Sequence, residues 1–211
     1  MDTEKFIRDL EQMHPNAECE LNFTSPFELL VAVILSAQCT DKRVNLVTRE
    51  LFKIANTPQA IADLDLETLE NAIKSCGFYH DKARNIKGAA SAIVKEYGGK
   101  IPETQSELMK LPGVGRKTAN VVCAVAFGGN AFAVDTHVFR LSHRLGLSSG
   151  KDPLQVEKDL CRIFPEKSWS HVHHLLIHHG RYVCKAKSPS CENCLLSDRC
   201  LHRAKTPPSI G

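Results

Sequence analysis

The sequence predicts an all-α fold. Helix start and stop signals recur along the whole chain, few segments alternate with period two, and none is bounded like a hairpin. A hydrophobic fraction of 43% over 211 residues is enough to bury a real core, so disulfides are not needed for folding. The length suits one large domain or two small lobes.

The helices follow in order. Residues 5–13 (KFIRDLEQM) read as the first. Residues 26–35 (PFELLVAVIL) read as the second, with Pro26 in its first turn, where a missing N–H costs nothing. A third runs from about Asp41 to Ile54. DLETLENAIKSCG (65–77) is expected to end on Gly77 as a left-handed cap, and KARNIKGAASAIVKEYGG (82–99) follows. TQSELMK (104–110) opens with Thr104 and Glu107 at capping-box spacing. RKTANVVCAVAFGG (116–129) is strongly apolar, and further helices are expected at 136–145, 152–163 and 169–182. The stretch 184–211 is rich in cysteine and proline and is expected to be irregular.

The formal net charge of +3 does not announce a nucleic-acid partner, so any basic surface must be gathered on one face. The N-terminus MDTEKFIRDL lacks the apolar core of a signal peptide, and the longest apolar runs, 29–35 and 121–127, are too short to span a bilayer. A soluble cytoplasmic protein is expected, nucleoid-associated if the cell is bacterial. Nine cysteines then need a reason other than disulfides.

LPGVG (111–115), between two helices, is the first candidate site. It is not a P-loop: Arg116 separates Gly115 from Lys117, Lys110 stands where the first glycine belongs, and no strand precedes it. It reads either as an ordinary corner or as a corner that binds DNA. In the second case Gly113, Val114 and Gly115 leave backbone uncovered. The start of the next helix, with Arg116, Lys117 and Thr118, then meets a phosphate. Eighteen residues after Lys117, VDTHVFR places Asp135 at a helix start, where its local role is N-cap. A lysine and a carboxylate suit covalent chemistry at an electrophilic carbon if they meet, which spacing alone does not show.

Cys184, Cys191, Cys194 and Cys200 fall within seventeen residues, a density that reads as metal ligation. Spacing leaves zinc and iron–sulfur both open. His174 and His178 are four apart on a helix, but no acidic partner is near in sequence. They read as packing and surface.

LPGVGRKTANVV, then VDTHVFR, then C-x6-C-x2-C-x5-C together resemble the endonuclease III family of helix–hairpin–helix DNA glycosylase/AP-lyases. The likeness runs from LLVAVILSAQCTD (29–41) to Cys200. It implies two helical lobes flanking a DNA-binding cleft. One is a helical barrel over 20–130 ending in the helix–hairpin–helix at about 104–128. The other combines 1–19 with 131–211. It also implies a monomer acting on double-stranded DNA with damaged pyrimidines or abasic sites. Lys117 matches the family's nucleophile and Asp135 its catalytic aspartate. The four cysteines match the ligands of a [4Fe–4S] cluster held at 184–200.

The resemblance further implies DNA contacts. Gln38, near Asp41 in SAQCTD, matches a glutamine inserted where the damaged nucleotide leaves the stack. Phe78 falls where relatives often carry leucine and reads as a stacking wedge or as a core aromatic. Asp41, and His137 at the start of the helix that Asp135 caps, are expected as further DNA contacts. Lys185 and Lys187, with Arg199, His202, Arg203 and Lys205, form a basic tongue for phosphates or a solvated charge run. Two other functions stay open. One is a glycosylase of the same superfamily specific for mismatched thymine or adenine, the adenine case being disfavoured by Lys117. The other is a non-enzymatic DNA-binding module with a structural zinc.

Overall fold

A computed structural model describes residues 2–129 and 131–205. Residue 130, expected at the end of the first lobe, and residues 206–211, expected in the second, lie outside the described residues. Among the described residues every regular element is helical. The chain forms two compact units. Cys19–Gly129 makes one, and the described residues on either side of it make the other.

The Cys19–Gly129 unit is built around α2 (Pro26–Leu35), whose residues from Phe27 to Leu35 are all buried. A ten-residue helix buried on every face has no amphipathic stripe, so it must be the centre of its unit. It packs against α3 (Asp41–Ile54), α6 (Tyr79–Tyr97) and α8 (Arg116–Phe127). Burial contributes roughly 1.5–3 kcal/mol for each large apolar side chain. Glu28 is the charged exception. Its carboxylate accepts from the N–H and hydroxyl of Thr24 (2.6 and 2.8 Å) and from Asn56 (3.2 Å), so the buried charge is satisfied. Two short helices complete this side. α4 (Pro58–Asp63) and α5 (Leu66–Ile73) both lie against α6. Thr104 caps α7 (Gln105–Leu108) as its spacing from Glu107 predicts: the Glu107 N–H donates to Thr104 Oγ1, and the Thr104 hydroxyl donates to the Glu107 carboxylate at 2.7 Å.

The other unit wraps α1 (Thr3–Met13), α9 (Thr136–Arg144), α10 (Pro153–Ile163) and α11 (Trp169–His178) around a second core that includes Phe6, Leu10, Phe132, Leu141, Leu160 and Leu176. Past α11 the chain widens into a π-type turn at His179–Val183. Gly180 lets that turn approach α9, since a Cβ there would lie 2.8 Å from the His137 Cβ. Single 3-10 turns at Cys191–Asn193 and Ser197–Arg199 follow, and then α12 (Leu201–Lys205).

The structure adds one helix to those expected and corrects two expectations. Pro58–Asp63 is helical, although six residues are too short to show a period. The irregular tail contains a helical turn at 201–205. The left-handed residue after α5 is Phe78, with φ 58°, and not Gly77; α5 stops at Ile73 and α6 starts at Tyr79, earlier than the expected 82. Glycine is the usual residue for this conformation, which is why the sequence points one position too early.

Candidate functional site

The hairpin turn is fixed by its neighbours. Gly113 has φ 74°, and a Cβ there would lie 2.6 Å from the Asn85 Cβ, so both conformation and space require glycine. Leu111 is buried beneath it. Val114 is also buried, and its N–H donates to the Leu111 carbonyl at 3.1 Å. Val114 therefore closes the turn; neither its side chain nor its N–H is offered outward, in contrast to the expected backbone contact. The next helix opens differently from most. Gly115 is the N-cap of α8 and no side chain caps this start, so the positive end of the helix is unscreened by a carboxylate or hydroxyl. Gly115, Arg116 and Lys117 are exposed and Thr118 is half-buried. Lys117 engages no hydrogen bond or ion pair among the described residues.

Asp135 takes the capping role its local sequence predicts. One carboxylate oxygen accepts from the Val138 N–H at 2.8 Å, which fixes the side chain at the start of α9. The carboxylate is half-buried. Two residues on, His137 meets the Arg140 guanidinium at 3.3 Å and packs against Gly180. Its ring is thus held in the packing between α9 and the π-type turn.

Gln38 and Phe78, both expected at the DNA, share one unusual property. Each is a non-glycine residue in the left-handed region, with φ 53° and 58°, and such backbones gather at functional sites because the surroundings must hold them there. Gln38 is exposed, and Phe78 is 65% exposed. The core-aromatic reading of Phe78 is therefore set aside. Asp41 begins α3, one residue after the Thr40 cap.

Lys82 is a residue that sequence reasoning missed. It is 5% exposed, and its ammonium donates to the carbonyls of Leu35 (2.9 Å) and Ala37 (2.7 Å). A cation there answers the negative end of α2 and pins the backbone immediately before Gln38. The signal is a lysine in register with the apolar residues Ala83, Ile86, Ala89, Ala90 and Ile93 that form the buried face of α6.

The cysteine loop forms the third part. Cys184, Cys191, Cys194 and Cys200 all line one concavity, closed beneath by Leu145 and His179. Polar groups of the protein already turn toward these sulfurs. Arg144 donates to Cys184 Sγ at 3.3 Å, and His179 Nε2 lies 3.5 Å from Cys194 Sγ. Burial, and the three other cysteines, push the Cys194 thiol up, so thiolates gathered here call for compensating positive charge, which iron supplies. Soft sulfur donors around one concavity fit an iron–sulfur cluster. The backbone of the loop is held from α9: Arg140 donates to the carbonyls of Gly180 and Cys184, and Arg144 to those of Lys185 and Ala186. Lys185 and Lys187 project exposed from that fixed backbone. Arg199 instead bonds Asp9 at 2.6 Å, so its charge is spent inside the fold.

The histidine pair of α11 has structural partners. His178 Nε2 lies 3.1 Å from the Glu18 carbonyl, and burial holds His174 neutral, its pKa pushed down to about 3.

Comparison with known proteins decides the family. Residues 31–166 match the model of the HhH-GPD superfamily base excision DNA repair proteins, and residues 184–200 match the iron–sulfur binding domain of endonuclease III. The chain is 54% identical to Endonuclease III of Bacillus subtilis (strain 168), with 89% of this chain and 86% of that protein covered.

The chain belongs to the endonuclease III family.

Endonuclease III of Haemophilus influenzae (strain ATCC 51907 / DSM 11121 / KW20 / Rd) is 47% identical, over 95% of each chain. A solved structure of a trapped Endonuclease III–DNA covalent intermediate superposes with a TM-score of 0.92 at 50% identity, covering 96% of each chain. The endonuclease III fold carries its family's activity, DNA glycosylase and AP lyase in base excision repair, and its [4Fe–4S] cluster. This removes the non-enzymatic zinc module. Among the described residues no helix is long and apolar enough to cross a membrane.

Proposed function

We propose that this enzyme excises oxidised or saturated pyrimidines from duplex DNA, with Lys117 as nucleophile. The observation that carries the reading is Lys117 itself: an exposed amine, engaged by nothing among the described residues, in the first turn of an uncapped helix behind a glycine turn. The glycine turn and helix start bind a phosphate through Gly113, Gly115 and the amides that follow, which positions the strand without reading its sequence. The neutral Lys117 amine attacks C1′ of the damaged nucleotide, the base departs with the bonding electrons, and the opened sugar remains joined as an imine. Loss of a proton from the neighbouring sugar carbon then expels the phosphate on the 3′ side. Asp135 is the carboxylate partner in this chemistry, stabilising positive charge on the sugar and taking part in proton transfer. Its capping bond fixes the side chain before substrate arrives.

Gln38 and Phe78 fill the space left by the extruded nucleotide, Gln38 by hydrogen bonds to a base edge and Phe78 by stacking. Asp41, at the start of α3, and His137, in the first turn of α9, are further DNA contacts in this reading. Cys184, Cys191, Cys194 and Cys200 hold the cluster, which when bound ties the loop into one rigid piece. Lys185 and Lys187 then meet backbone phosphates.

The test is strand cleavage on duplexes carrying thymine glycol, an abasic site or a G·T mismatch. Cleavage of the first two by the wild type, lost in Lys117→Gln and reduced in Asp135→Asn, is the expected result. Cleavage confined to the mismatch would instead assign the enzyme to mismatched thymine.

A further inference from the structure

Cys39 and Cys76 are far apart in sequence, yet their sulfurs are 3.7 Å apart. Both are free thiols; Cys39 is half-buried and Cys76 fully buried. Each adjoins one of the two left-handed turns. Cys39 directly follows Gln38, and Cys76 is separated from Phe78 by Gly77 alone.

We propose that Cys39 and Cys76 form an oxidisable pair, closed to a reversible disulfide by exchange with a low-molecular-weight disulfide, and that closure draws the Gln38 turn inward and weakens binding to damaged DNA. The second half of this rests on the reading that Gln38 and Phe78 enter the duplex.

The geometry supports both halves. A disulfide holds its sulfurs about 2.05 Å apart, so the two atoms must approach by roughly 1.7 Å. Cys76 follows α5 in the packed interior, whereas Cys39 stands at the rim, so Cys39 is the side that moves. Gln38 is bonded to it and follows. Its exposed side chain is then withdrawn from the surface that it must leave to reach a base.

The exchange balances in two steps. The Cys39 thiolate attacks one sulfur of the small disulfide, whose other sulfur leaves as a thiolate. Deprotonated Cys76 then attacks the Cys39 sulfur and expels the second small thiolate. The two cysteine protons end on the two released thiols, so one small disulfide becomes two small thiols. Cys39 has the exposure to react first. Burial and the neighbouring Cys39 thiol push Cys76 up to about 11, which slows its attack, and the 3.7 Å approach of the two sulfurs offsets this by making the second step intramolecular. In a reducing compartment such a bond is transient, as a redox-responsive bond must be.

The experiment treats the cluster-loaded enzyme with oxidised glutathione, following the cluster by its visible absorption. Tryptic mapping then identifies cross-linked peptides, and fluorescence anisotropy measures affinity for a duplex with a stable abasic-site analogue. The expected result is a Cys39–Cys76 cross-link and about tenfold weaker binding. Both reverse with dithiothreitol and neither occurs in Cys39→Ser, which binds as the reduced wild type does. Glutathione left on Cys39 with no internal bond would overturn the pair. An internal bond with unchanged affinity would overturn its effect on the Gln38 turn. If reduced Phe78→Ala and Gln38→Ala bind the duplex as tightly as wild type, it is the reading of the two turns that fails, and the cross-link itself stands.

Discussion

The hairpin turn and the cysteine loop are both irregular segments that follow a helix, and they are held by opposite means. The hairpin is fixed by apolar burial and close packing: Leu111 and Val114 are buried, the Val114 N–H bonds the Leu111 carbonyl, and Gly113 fits against Asn85 of α6. The loop at 184–200 has only single 3-10 turns, and its fully buried apolar side chain is Leu196. Its order comes from Arg140 and Arg144 reaching over from α9 and from the sulfurs that surround its concavity. A segment too polar to bury apolar surface needs a metal centre or borrowed side chains to offset the entropy of ordering it. The hairpin buries Leu111 and Val114 and needs no metal centre, and so can leave the amides at the start of α8 and Lys117 open for substrate.

Removing the cluster should separate the two most strongly. Cys194→Ala is expected to abolish the visible absorption and expose 184–200 to proteolysis, while exchange of the hydrogen-bonded Val114 and Ala119 amides stays slow. Equal loss of protection in both segments would mean that the hairpin also depends on the cluster. Gly113→Val attacks the other side. It forces a branched side chain into φ 74° and against Asn85, at a cost of about 2–4 kcal/mol, measured by urea unfolding. The cluster absorption should survive it.

Lys82→Met is expected to cost about 1–3 kcal/mol by leaving the Leu35 and Ala37 carbonyls without their donor. Because those carbonyls precede Gln38, KM for a damaged duplex should rise more than kcat falls. Arginine at this position should restore part of the loss. Lys185→Ala with Lys187→Ala should lower the slope of log affinity against log salt by about 2 and leave the chemical step unchanged in single turnover.

The smallest effect concerns the unit that carries the loop. Burial first, then the neighbouring imidazoles of His173 and His178, hold the His174 pKa near about 3. On acidification the unfolded chain takes up this proton first, near the ordinary pKa of about 6.5. Stability should therefore fall as pH drops below that value, and this loss should end near pH 3. His174→Gln should flatten that part of a thermal-melt profile against pH; an unchanged profile would assign the acid sensitivity to other groups.

The sequence showed much of the fold because its helices announce themselves locally. Pro26, the Thr104 cap and the Asp135 cap all sit where local chemistry puts them. The cysteine spacing and LPGVG were equally plain. What stayed hidden depends on tertiary packing. Nothing near Phe78 announces a left-handed aromatic when Gly77 stands beside it. The register of Lys82 with the buried face of α6 marks it as unusual, but the carbonyls it serves at the end of α2 are visible only in the fold. Cys39 and Cys76 read as unrelated buried thiols, because no local rule connects positions so far apart. Val114, between two glycines, looks like open backbone in the sequence, but its N–H is used by the turn itself.

The most direct test is borohydride trapping on a thymine-glycol duplex, comparing wild type with Lys117→Gln after both are shown to bind DNA and retain the cluster. A covalent protein–DNA adduct in the wild type, absent from Lys117→Gln, is the predicted result. An adduct of equal yield in Lys117→Gln would contradict the assignment and place the reacting amine elsewhere in the chain.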